Sequence, residues 1–319
     1  MIHAPGSYVL TFGETMALMR STETGPLAHT STLGLGIGGS ESNVAVGLSR
    51  LGVPTVWCGR VGDDSLGLLV EREIRAEGID VRIAVDPSAP TGLMIKERRT
   101  PSTQRVSYYR AGSAGSRIAP HDVDYRLLAE AGLLHVSGIT PALSEQAEAT
   151  LRYAVKVART EGVVVSFDLN YRANLWSRDA ARSVYADIIA LSDIVFAGED
   201  EAAIAVGDSS GPEELAGRIA ALGPRQAVIK LGAEGALAMV DGGIYRQPAT
   251  PVDAVDTVGA GDAFVAGYLT EFMSGLGPAA CLKTAAATGA FACLVQGDWE
   301  GFPRRSELAL LEAKEPVSR

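Results

Sequence analysis

From residue 132 onward, short apolar runs alternate with stretches of helical length and period. The runs fall at 133–136, 163–167, 194–196 and 227–231, with helical stretches near 144–161, 178–191 and 212–222. Strands separated by helices return to one sheet as parallel neighbours, and the helices then cover both of its faces. Residues 8–12 read as a first strand and 53–59 as another. Helices near 260–275, 278–295 and 304–314 close the chain. The fold class expected is therefore α/β, with a central, mostly parallel sheet flanked by helices.

Two segments break that succession. Residues from about 16 to 35 carry alternating apolar positions without helical period, and the alternation returns between about 81 and 109, in Thr91-Gly-Leu-Met-Ile-Lys and Gln104-Arg-Val-Ser-Tyr-Tyr-Arg. Both read as strands of a small sheet outside the main core. Gly34-Leu-Gly-Ile-Gly-Gly formally matches the dinucleotide pattern G-x-G-x-x-G. No buried parallel strand precedes it, so a nicotinamide-dependent dehydrogenase is a remote alternative.

The chemistry concentrates at 253–268, which reads Asp-Ala-Val-Asp-Thr-Val-Gly-Ala-Gly-Asp-Ala-Phe-Val-Ala-Gly-Tyr. A turn of small residues opening a helix leaves backbone N–H groups pointing outward, and the helix dipole adds positive potential there. Such a place binds anions, phosphate above all. Asp262 follows at once. A carboxylate beside a phosphate cradle is ill suited to anion binding, but well suited to taking a proton from an attacking hydroxyl. Aspartate also caps helices, and local sequence leaves both readings open.

With 28 basic against 38 acidic residues in 319, the chain carries a net charge of −10. That argues against nucleic acid or an anionic membrane surface as partner. Any phosphate must be held locally, against the global field. Hydrophobic residues are 47% and charged residues 21%, enough for a substantial core. Cys58, Cys281 and Cys293 lie in apolar segments without metal-ligand spacing, which predicts reduced thiols and a cytoplasmic location. The four histidines, His3, His29, His121 and His135, are scattered. The N-terminus has no basic region followed by an apolar run, so no signal peptide is expected. No linker or repeat interrupts the chain. The expectation is a single domain over 1–319.

Asp256-Thr-Val-Gly-Ala-Gly-Asp262 resembles the C-terminal signature of the ribokinase-like (PfkB) carbohydrate kinases, and Gly59-Arg-Val-Gly-Asp-Asp-Ser-Leu-Gly67 resembles their N-terminal one. The resemblance implies that Asp262 is the catalytic base and that the amides of Gly259, Ala260 and Gly261 form an anion hole for the transferred phosphoryl group. It implies ATP and Mg²⁺ as cofactors. Gly38-Gly39-Ser-Glu-Ser-Asn43 is similar to the element by which these kinases approach the sugar. Lys230-Leu-Gly232-Ala-Glu-Gly235 resembles the element lining their ATP site, to which Asn170 is also assigned. The resemblance also implies that 1–319 is a single ribokinase-like kinase domain in which the two excursions form a β-sheet lid over the sugar, with lid segments near 16–36 and 88–111.

Within the family the chain is most similar to kinases of 2-keto-3-deoxygluconate. Tyr108-Tyr-Arg110-Ala-Gly-Ser, Asp168-Leu-Asn-Tyr-Arg172 and Gly297-Asp298-Trp-Glu-Gly carry that similarity, and it places Tyr108, Arg110, Arg172 and Asp298 at the substrate. An acid needs a cation where a neutral sugar does not, and arginine meets a carboxylate with a planar fork that keeps its charge. Arg172, at a strand's C-terminal end, is the first choice, with Arg110 second. Two departures stand out. Gly198 replaces the asparagine usual three residues before the family's metal-organising acid, here Glu201. Met94 stands where some sugar-acid kinases carry tyrosine. The expected activity is ATP-dependent phosphorylation of a primary hydroxyl of the sugar acid, with a fructokinase or other keto-sugar kinase as the alternative. The expected partners are a small-molecule sugar acid and ATP, without nucleic acid or membrane, and homo-oligomerisation is left open.

Overall fold

The computed structural model describes residues 6–100 and 103–312. Residues 101–102 and 313–314, parts of the segments expected above, lie outside them, as does His3. The first half contains β1 (Val9–Phe12), β2 (Met16–Ser21), β3 (Leu33–Gly38), α1 (Ser40–Arg50), β4 (Thr55–Gly62), α2 (Ser65–Ala76), β5 (Asp80–Asp86), β6 (Leu93–Thr100) and β7 (Thr103–Tyr109). Then follow α3 (Tyr125–Ala129), β8 (Leu133–Ser137), α4 (Glu145–Glu161), β9 (Val164–Asp168), α5 (Arg178–Ile189), β10 (Ile194–Gly198), α6 (Glu199–Val206) and α7 (Pro212–Ala220). The last elements are β11 (Gln226–Lys230), β12 (Ala236–Val240), β13 (Gly243–Gln247), α8 (Ala260–Met273) and α9 (Pro278–Ala292).

Among the described residues a nine-stranded sheet runs β13-β12-β11-β10-β9-β8-β1-β4-β5. From β11 to β5 every pairing is parallel, and β12 and β13 add an antiparallel hairpin at one edge. Strand periodicity assigns the faces. Leu10, Leu134, Val165, Val195 and Ala227 pack under α4 to α7. Val9, Leu133, Ile194, Phe196 and Val228 face α1, α8 and α9. With both faces covered, the central strands read as continuous apolar runs, which made them visible in the sequence.

Helix starts follow side-chain chemistry. Ser144 Oγ accepts from Ala147 N at the head of α4, and Ser177 Oγ from Ala180 N at the head of α5. Asp64 caps α2, accepting from Gly67 N at 2.8 Å. It also accepts from Thr91 N and Thr91 Oγ1, tying α2 to the entry of β6. At the C-terminus the expected helices are shorter: α9 ends at Ala292, and 305–312 is a 3₁₀ run.

Most of the two excursions forms a separate four-stranded sheet, β3-β2-β6-β7, in which β2 pairs parallel with β6 and the other pairs are antiparallel. Residues 81–86, expected there too, belong instead to β5 and pair parallel with β4 at the edge of the main sheet. Gly34–Gly39 thus belongs to β3 and its exit, in an antiparallel pair with β2. It does not follow a parallel strand of a nucleotide-binding βαβ unit. The small sheet meets the main body where Trp299 Nε1 donates to Ile37 O at 3.1 Å, and through ion pairs Arg20–Glu300 and Lys96–Asp256. No helix among the described residues is long and apolar enough to cross a membrane.

Candidate active site

The parallel strands all end on one side, where ligands of open α/β sheets bind. There the first turn of α8 meets the first turn of α1 and the end of β9. Gly259 is the N-cap of α8 with φ of 77°. Any Cβ there would collide with the carbonyl oxygen of Asp298, so only glycine permits this close approach. Asp262 lies in the first turn, but its oxygens do not cap its own helix. Oδ1 accepts from Ser40 Oγ at 2.8 Å and Oδ2 from Asn43 Nδ2 at 2.8 Å, both on α1. Asn170 Nδ2 donates to Ser40 Oγ from the end of β9. Burial pushes the Asp262 carboxyl above its ordinary value, partly offset by the bonds from Asn43 and Ser40; Asp168 pushes the same way as burial. A carboxylate held by neighbouring side chains, beside uncapped amides, matches a proton acceptor better than a cap.

A cavity of about 590 Å³ opens beside these amides, bounded by Lys230, Gly232, Gly235, Gly261, Phe264 and Cys293. Lys230, at the end of β11, pairs with both oxygens of Asp168, at 2.9 and 2.8 Å. Burial alone would discharge this lysine, but Asp168, Glu201 and Asp262 outweigh it and hold its value above the ordinary one. It therefore supplies a permanent cation to a pocket otherwise walled by small residues. Asn170 lines this end of the sheet with a positive φ of 40°.

On the other side the small sheet approaches closely. A Cβ on Gly38 would strike Asp298 Oδ2 and Met94 Cε, and one on Gly39 would strike Glu14 O. Asp298 is buried and its carboxyl is pushed up to about 6, because burial and the neighbouring Glu300, Asp262 and Asp256 outweigh Lys96. Arg110 sits 5.9 Å from the ring centroid of Tyr108, and its Nε donates to Glu14 Oε2 at 2.7 Å. Glu14 also accepts from Ser113 Oγ. Arg172 Nη1 donates to Tyr171 O at 3.0 Å, and its charge lies near enough to Asp262 to favour the ionised form there. Glu201 uses both oxygens on backbone: Oε1 accepts from Tyr171 N at 3.0 Å and Oε2 from Gly198 N at 2.7 Å. It thus fixes the loop that carries Arg172.

Asp262, the 259–261 amides, Asn43, Asn170, Lys230 and Arg172 converge on the strand ends, and Gly38, Arg110 and Asp298 face them from the small-sheet side. Sequence reasoning missed four participants: Ser40, Glu14, Lys96 and Asp256. Ser40 was legible as the residue between Gly39 and Asn43. Lys96 carried a signal too, because it follows Met94 by two residues and so falls on the apolar phase of β6. Glu14 offered none, and Asp256 stood in the signature stretch without a sign of its pairing, since their partners Arg110 and Lys96 lie 96 and 160 residues away.

A model of the pfkB family of carbohydrate kinases matches residues 7–305. The 2-dehydro-3-deoxygluconokinase of Bacillus subtilis (strain 168) is 37% identical over 305 residues, covering 94% of this chain and 94% of that protein. The solved structure of 2-dehydro-3-deoxygluconokinase from Thermotoga maritima aligns with a TM-score of 0.86 at 26% identity, covering 97% of this chain and 99% of that one. A putative ribokinase II from E. coli in complex with ATP and Mg²⁺ gives 0.89 at 25% identity, over 96% of this chain and 99% of that one.

Proposed function

The chain belongs to the pfkB family of carbohydrate kinases, and on that premise we propose that it transfers the γ-phosphoryl group of ATP to a primary hydroxyl of 2-dehydro-3-deoxygluconate, the 2-keto-3-deoxy sugar acid. The observation that carries the reading is the placement of Asp262. It is half-buried, bonded to Ser40 and Asn43, and follows directly on Gly261, which lines a nucleotide-sized cavity.

Asp262 receives the hydroxyl proton as the oxygen attacks phosphorus. Its upward-shifted carboxyl makes it a stronger proton acceptor than an exposed aspartate. The amides of Gly259, Ala260 and Gly261 face the charge that develops on the transferred group, where fixed dipoles stabilise it without reorganising. Lys230 offers a cation to the phosphates, although Asp168 must share it. Asn43 Oδ1 is buried without a protein partner, which suits a donor hydroxyl of the sugar. Arg172 is assigned to the substrate carboxylate, since among the described residues its guanidinium bonds only a backbone carbonyl.

ATP as substrate fits the cavity and its backbone donors. Mg²⁺ fits differently. Among the described residues no three His, Cys, Asp or Glu side chains group to hold a metal ion, and both Glu201 oxygens already accept amides. Mg²⁺ typically keeps several waters and takes few protein ligands. Here it would be held by ATP oxygens and water, with Glu201 and Asp168 nearest in kind, and it would neutralise phosphate charge. The small sheet, in this reading, is a lid that excludes water from the reacting phosphate. Cys58, Cys281 and Cys293 are free thiols, which fits action in the cytoplasm.

The test is Asp262→Asn. It is expected to bind ATP nearly normally and to lose on the order of 10²–10⁴-fold in kcat. A variant within about threefold of wild type would remove the base from this mechanism.

A further inference from the structure

We infer that Lys96 is a positioning residue for phosphoryl transfer: from the small sheet it grips Asp256 and so sets the loop that presents the 259–261 amides. This deepens the kinase reading and rests on it. Lysine is seldom buried unless paired, and the Lys96 side chain is only 6% exposed. Its Nζ lies 2.7 Å from Asp256 Oδ2, 3.5 Å from Asp298 Oδ1 and 3.4 Å from Gly297 O. One ammonium thus joins β6, the loop before α8 and the loop after α9.

The loop before α8 depends on what Lys96 holds. Asp256 Oδ1 accepts from Val258 N at 3.1 Å, and Oδ2 accepts from Gly297 N at 3.3 Å. Val258 immediately precedes Gly259, whose backbone packs against the carbonyl of Asp298. Asp256 and Asp298 therefore clamp the turn from both sides, and Lys96 is the cation common to both carboxylates. Burial works against an ionised Asp256, but the bonds from Lys96 and Val258 overcome it and hold its carboxyl below the ordinary value. Without the ammonium, Asp256 is a buried unpaired carboxylate, which must protonate or turn to solvent. Either change weakens the bond to Val258 N and loosens the turn.

Other links join the small sheet to the same region without reaching Asp256, among them Arg20 Nη1 to Gln296 O at 3.4 Å. Arg20–Glu300 is more exposed, at 31% and 24%, where ion pairs contribute little. Trp299 Nε1 to Ile37 O is a neutral bond. Lys96 alone among these touches the carboxylate that orders the anion-binding turn. Movement of the small sheet over the sugar is thereby felt at the amides that receive the phosphoryl group.

The experiment compares wild type, Lys96→Met and the double variant Lys96→Met/Asp256→Asn, using ATP and 2-dehydro-3-deoxygluconate with hydrogen exchange of residues 257–262 in the free protein. Lys96→Met is expected to lose on the order of 10²-fold in kcat, the scale of a small misplacement, while the KM for ATP moves less than about threefold. The double variant removes the uncompensated charge. It should regain thermal stability yet keep the kcat defect, and the turn should exchange faster in both variants. Methylammonium should partly restore kcat to Lys96→Ala. A folded double variant with kcat within about threefold of wild type and unchanged exchange at 257–262 would overturn the assignment. Wild-type protein that releases no ADP with any sugar acid or neutral keto sugar would instead refute the kinase reading, and the exchange comparison would still decide the role of Lys96.

Discussion

The side proposed for the nucleotide is walled by Gly232, Gly235, Pro251, Val252, Ala260 and Gly261, with Lys230 as its half-buried cation. The side proposed for the sugar holds Glu14, Lys96, Arg110, Asp256 and Asp298, all buried or nearly so and mostly paired with one another. The first side recognises an anion through backbone donors and shape, which needs small residues rather than charge. The second must accept a charged substrate inside a low-dielectric space, so its own charges have to be balanced beforehand. Arg172 differs from Arg110 in this respect. Arg110 is already committed to Glu14, while Arg172 can take a carboxylate without abandoning an ion pair.

Breaking the nucleotide side should have the largest effect. Gly259→Ala places a methyl group against the carbonyl of Asp298 at a φ of 77°. Displacing amides from a developing charge costs on the order of 10²–10³-fold in kcat. Steady-state kinetics with saturating ATP and sugar acid check this, and an unimpaired variant would show that the turn tolerates a different conformation.

The sugar side divides into two arginine predictions. Arg172→Ala should lower kcat/KM for the acid about ten- to over a hundredfold, from the roughly 1.5–3 kcal/mol of a charge-assisted bond. Any slow activity on fructose should fall much less. Arg110→Ala leaves Glu14 buried without its cation, so its main effect should be on stability, about 3–5 kcal/mol in denaturant unfolding. Equal losses on acid and neutral substrates in Arg172→Ala would reassign that arginine to ATP or the fold.

The smallest effect concerns Asp298. Its folded value of about 6 lies above the ordinary 3.8, so the native state takes up its proton before the unfolded state does. Its ionisation therefore opposes folding above about pH 6, and this group's contribution improves as pH falls toward about 4. Asp298→Asn removes that dependence. The melting-temperature gain of the variant over wild type should be larger near pH 7.5 than near pH 5; a difference independent of pH would contradict the shifted carboxyl.

Much of the main sheet was legible because its strands are buried on both faces and its helices carry caps such as Ser144. The 256–262 stretch was legible as an anion site because a glycine turn opening a helix exposes its amides, whereas the neighbouring acid read equally as a cap until the family resemblance favoured chemistry. The edge hairpin β12–β13 and the short α6 were not, since an exposed edge strand such as Gly243–Gln247 lacks a continuous apolar run. The ion pairs of the sugar side were hidden for another reason. Periodicity reports which face a residue occupies, and says nothing of the partner that a distant loop brings to it. Glu14 and Arg110, or Lys96 and Asp256, become pairs only when the small sheet folds back over the strand ends.

The most direct test of the account is a coupled ADP-release assay on the purified protein with ATP, Mg²⁺ and a panel of sugar acids and neutral keto sugars. ADP release that requires the acid, reaches one equivalent per sugar and is strongest with 2-dehydro-3-deoxygluconate is the result expected. Equal or faster release with fructose would contradict the role given to Arg172 and the substrate it was assigned to bind.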